Sequence, residues 1–86
     1  MVIYYRKILS TVELLFLGGS YNVQPNTDIL LYTLPEAYRT KRGFPIPEGY
    51  GKPNVRFFIG SDGNLMLQNV GTEAKSNVAA HCVYLV

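Results

Sequence analysis

The sequence has no tryptophan, a single cysteine, a single histidine and few charges, and each shortage removes a class of function. Cys82 alone can build neither an internal disulfide framework nor a cysteine-based zinc site. Set in the apolar run 78–86, it reads as a small buried hydrophobe. A catalytic histidine needs a nucleophile or paired acid placed beside it. On an apolar alternating strand, His81 reads instead as a packed or interface residue. Only 16% of residues are charged and the net charge is +2, too small and too dispersed for the basic stripe that nucleic acid requires. No apolar run approaches the ~20 residues of a membrane helix. The opening Met1-Val2-Ile3-Tyr4-Tyr5-Arg6-Lys7 lacks the charged, apolar, then small pattern of a signal peptide. These absences predict a soluble protein made in a reducing compartment, with no metal and no cofactor.

What the chain does have is apolar surplus and turn chemistry. At 86 residues it makes one domain, 1–86, and a chain this short buries only about 60–65% of its unfolded surface. A hydrophobic content of 48% exceeds what so small a core absorbs, so part of the excess is expected to face a second copy. Residues 1–17 fit both a helical and an extended period. Their β-branched and aromatic content and the absence of an N-cap select two strands, 2–9 and 12–17, turning at Ser10-Thr11. A polar loop follows to residue 28, then a short strand 29–33 that stops before Pro35.

Residues 36–53 hold three prolines and three glycines, which predicts a long connection without helix and only a short extended piece at 44–47. Beyond it, residues 54–59 and 64–70 flank Gly60-Ser61-Asp62-Gly63, a strong hairpin signal. In the first arm Val55, Phe57 and Ile59 share a face; in the second Leu65 and Leu67 do, leaving Phe58 and Met66 to make the opposite face partly apolar. The closing strand 78–86 is apolar on both faces, as a central or interface strand would be. About seven short strands with near-regular turns predict an all-β protein, a small antiparallel β-sandwich.

The carboxylates are scattered through turns, and nothing fixes the separation that a glycosidase pair such as Glu36 with Glu48 would need. No enzyme is predicted. Sugar recognition asks for flat aromatic faces together with amides, carboxylates and arginine. The loops supply these as Tyr21, Asn22, Tyr38, Arg39, Arg42 and Tyr50, with Asn26 and Glu48 beside them. Arg39, Lys41 and Arg42 would also suit a phosphate-bearing polymer such as teichoic acid. The bland alternative is that Tyr38 and Arg39 only lock their own turn.

Several stretches carry a family likeness in order: the opening Tyr-Arg-Lys strand, Val12-Glu13-Leu14-Leu15-Phe16-Leu17-Gly18, and Thr33-Leu34-Pro35-Glu36-Ala37-Tyr38-Arg39. A Pro-rich loop, residues 55–59, Asp62-Gly63-Asn64-Leu65 and a final Tyr84-Leu85-Val86 complete it. The arrangement resembles the C-terminal β-sandwich head domain of tail-fibre and baseplate receptor-binding proteins from phages of Gram-positive bacteria, which carry a Leu-Pro-x-Gly-Tyr-Arg-Pro turn. Ala37 stands where that turn has Gly, and Thr40 where it has Pro. The resemblance implies a jelly-roll-like homotrimer in the virion, at a tail tip or baseplate, made in the host cytoplasm. It implies adhesion to host cell-wall saccharide or teichoic acid and contact with other phage tail proteins, without nucleic acid or membrane insertion. A structural tail, baseplate or capsid-decoration module from the same stock is the alternative.

Overall fold

A computed structural model describes residues 1–46, 54–86 and, as backbone alone, 48–49. The strands are β1 (Val2–Ile8), β2 (Thr11–Leu17), β3 (Thr27–Thr33), β4 (Phe44–Ile46), β5 (Glu48–Gly49), β6 (Val55–Ile59), β7 (Asn64–Asn69) and β8 (Ala79–Leu85). They form two antiparallel sheets, as the alternation and turn spacing predict. The first runs β1-β2-β8, with the two-residue β5 along the far edge of β8; the second runs β3-β7-β6-β4. The closing strand is therefore interior to its sheet.

Period-two alternation sets which side chains the sheets bury. Val12, Leu14 and Phe16 of β2 face Val55, Phe57, Ile59, Leu65 and Leu67 of the second sheet, all nearly or fully buried. The Phe16 and Phe57 rings meet at 5.1 Å between centroids. Asn69, wholly buried, is tolerated because its amide is fully used: Nδ2 donates to the carbonyls of Val23 and Glu73, and Oδ1 accepts from the Gly71 amide.

Several details depart from the sequence reading; β3 begins at Thr27, so Asp28 stands on a strand and not in the polar loop. The first hairpin turns at Leu9-Ser10 rather than Ser10-Thr11, with Leu9 exposed at a φ of 57°. The connection after residue 36 does contain a helix, one 3-10 turn at Glu36–Tyr38, because Pro35 presets the entry and two i to i+3 bonds close it. And β3 carries a bulge at Leu31. Without that extra residue Tyr32 would share the face of Leu30; with it, Tyr32 stands opposite buried Leu65 and turns back towards Tyr5 on β1.

Candidate functional site

The turn at residues 34–39 is docked from several directions. The Leu34 amide donates to the Gly63 carbonyl at 2.9 Å, and Arg39 Nε donates to the Leu34 carbonyl at 2.9 Å. Gly63 has a φ of 87°, and a Cβ there would sit 2.7 Å from both the Leu34 oxygen and Arg39 Nε, so glycine allows the hairpin tip to meet the turn. The Tyr38 carbonyl accepts a 2.7 Å bond from Tyr84 Oη, and the Tyr38 ring meets Tyr5 edge-on at 4.9 Å. Lys7 Nζ reaches the Ala37 carbonyl at 3.3 Å. Burial pushes the Tyr84 hydroxyl up to about 12, keeping it a donor. The hydrogen bond to Tyr32 likewise raises Tyr5 above its ordinary range.

Both departures from the Leu-Pro-x-Gly-Tyr-Arg-Pro turn fit this geometry. Ala37 lies inside the 3-10 turn at ordinary negative φ, so no glycine is needed there. Thr40 is buried, and its hydroxyl donates to the Arg42 carbonyl at 2.9 Å.

The sequence-predicted binding residues do not converge. Tyr21 and Asn22 lie at the end of the sandwich where Val23 pairs with Lys75. Tyr21 is half-buried against the core and Asn22 is exposed. Arg39 and Arg42 lie towards the opposite end, where the turn meets the Gly63 hairpin tip and Gly43 meets Ile59, and the Tyr38 ring packs on Tyr5 at the middle of β1. Tyr38 and Arg39 are spent on the turn, whereas Arg42 is exposed. Tyr50 and the Glu48 side chain lie outside the described residues.

A different surface brings the chemistry together. On the outer face of the second sheet, register sets Asp28, Gln68 and Arg56 in one cross-strand row, and Leu30, Met66, Phe58 and Pro45 in the next. Between them lies a concavity of about 400 Å³. Phe58 is 44% exposed, and its ring rim lies where a Cβ on Gly43 would come within 2.9 Å, so the glycine makes room for the ring. Among the described residues neither Asp28 nor Arg56 is in an ion pair. Arg42 precedes Gly43 directly in the chain and is exposed. No family model matches the chain, and no curated protein does. Parity along each strand signals which side chains face outward; their register across β3, β7 and β6 is what the sequence does not show.

The outer face of the first sheet carries another polar cluster. Glu13 accepts from Arg6 Nε at 2.8 Å and lies 3.0 Å from His81 Nε2. The His81 contact, with Arg6 behind it, holds the Glu13 carboxyl below its ordinary range. Cys82 points inward and is half-buried; desolvation raises its thiol to about 11, which makes it a packing residue at neutral pH. Among the described residues no group of three or more His, Cys, Asp or Glu could hold a metal.

Proposed function

We propose that the chain is an adhesion domain of the phage receptor-binding type, recognising host cell-wall saccharide as a homotrimer in the virion. The observation that supports this reading most is the platform on the second sheet. An exposed ring beside Met66 and Pro45 offers the apolar surface on which a pyranose stacks, and the adjacent carboxylate, amide and guanidinium match its hydroxyl groups. Arg56 on the platform, and the exposed Lys41 and Arg42 before β4, also suit the phosphates of teichoic acid. The reading assigns no catalytic residue. Weak single sites would serve such a domain, since linked copies raise avidity without new contacts.

A structural tail, baseplate or decoration module is the second reading. It is favoured by the turn at residues 34–39, whose ring packs on Tyr5 and whose guanidinium bonds through Nε to the Leu34 carbonyl. An array of wall saccharides with host-adsorption inhibition decides between the two. Phe58→Ala and Arg56→Ala should each weaken binding about tenfold or more, corresponding to ~1.4 kcal/mol, while Tyr21→Ala leaves it unchanged. Wild-type protein that binds no wall polymer would leave the structural reading standing.

A further inference from the structure

The outer face of the first sheet is apolar where a solvated face would be polar. Val2, Tyr4, Ile8, Leu17, Val83 and Leu85 point outward from three adjacent strands and are between 41% and 73% exposed. At about 150–200 Å² for a fully exposed side chain of this size, they present roughly 600 Å² of apolar surface, at the upper end of what a monomer leaves open. The whole chain has an accessible surface of 5199 Å², so more than a tenth of it lies in this one patch. With the polar side chains among them the face approaches the ~800 Å² per partner of a standard interface.

We propose that this face is where copies of the chain pack on one another, with the first sheets turned towards a shared axis and the second sheets outward. The assignment rests on the self-association in the function proposed above and names the surface that performs it. A second copy is the occupant that the charges favour. Arg6 and His81 both converge on Glu13 of the same face, so burying the cluster strands no lone charge and asks for no oppositely charged partner. Growth along the two long edge strands is disfavoured, because β1 carries Arg6 and Lys7 and β3 is bent by its bulge.

The test is the mass of the full chain by sedimentation equilibrium between 1 and about 100 μM, the range in which specific contacts of this size dissociate. Wild type should be oligomeric. Val83→Lys and Leu85→Lys, at positions exposed in the single chain, should raise the dissociation constant at least about tenfold with unchanged circular dichroism. The milder Val83→Thr should give a smaller shift in the same direction should either lysine variant fail to fold. Phe58→Ala should stay oligomeric. A monomeric wild type overturns the proposal and hands the face to some other partner; so does an oligomer that Phe58→Ala dissolves and the lysine variants do not. Wall-saccharide retention is read on the same samples: its absence from an intact oligomer counts against the adhesion reading and leaves this interface standing.

Discussion

An aromatic ring, a guanidinium and a carboxylate come close together both on the turn, as Tyr38, Arg39 and Glu36, and on the second sheet, as Phe58, Arg56 and Asp28. On the turn the ring is packed and the guanidinium is bonded through Nε, while the Glu36 carboxylate is exposed. Arg39 is bonded to the Leu34 carbonyl, the Tyr38 carbonyl to Tyr84, and both rest on the hairpin tip or on Tyr5. On the sheet the ring is exposed beside a concavity, and the charges flank an amide without pairing among the described residues. The same vocabulary fastens the fold at one site and faces solvent at the other. Residue type alone therefore does not distinguish the two places; what does is whether the ring is packed, as Tyr38 is on Tyr5, or exposed beside a concavity, as Phe58 is.

The sharpest break of this comparison uses two neighbours on β6. Phe57 is 1% exposed and packs on Phe16, so Phe57→Ala should cost about 3–5 kcal/mol and leave much of the protein unfolded. Phe58→Ala should cost below ~1 kcal/mol while removing saccharide binding. Urea denaturation of both variants measures the difference. If Phe58→Ala destabilises as much as Phe57→Ala, the platform is core and not a contact surface.

A smaller effect is expected at the turn. Tyr84→Phe leaves the Tyr38 carbonyl without its 2.7 Å donor and should cost about 1–2 kcal/mol, with saccharide binding retained. Because the folded hydroxyl is raised from 10.0 to about 12, the stability it adds is fully present below pH 10 and is lost as pH rises towards 12. Thermal melts across that window should show an alkaline decline that is shallower in the Phe variant, the remainder coming from Cys82 and Tyr5, which are raised as well.

The smallest effect concerns Glu13. Its folded carboxyl is held below 4.5, so its contribution is present above that pH and is lost as pH falls through the folded value. Glu13→Gln should flatten the acid limb of the stability curve and change little at neutral pH, and added salt should erase much of the difference, since the cluster is solvent-exposed.

Much of the architecture was legible from parity and turns. The alternation of Leu65 and Leu67 against Met66, and the Asp62-Gly63 turn, placed the hairpin and its faces. The Leu34-Pro35 start marked a corner. What fastens that corner was not legible, because Tyr84, Lys7 and Gly63 come from three distant segments. The platform was hidden for the same reason: Asp28, Arg56 and Gln68 meet only through pairing register. The bulge at Leu31, which turns Tyr32 inward, has no turn residue to announce it. Loops usually carry contacts, yet the Tyr38 ring packs on Tyr5 while the exposed Phe58 ring stands on a strand.

Backbone amide NMR of the chain titrated with a soluble host-wall saccharide fragment tests the account most directly. Perturbations should cluster at Asp28, Arg56, Phe58, Met66 and Gln68, with Tyr38 and Arg39 unmoved. Perturbations confined to Tyr21 and Asn22, or to residues 38–42, with the second sheet silent, would contradict it.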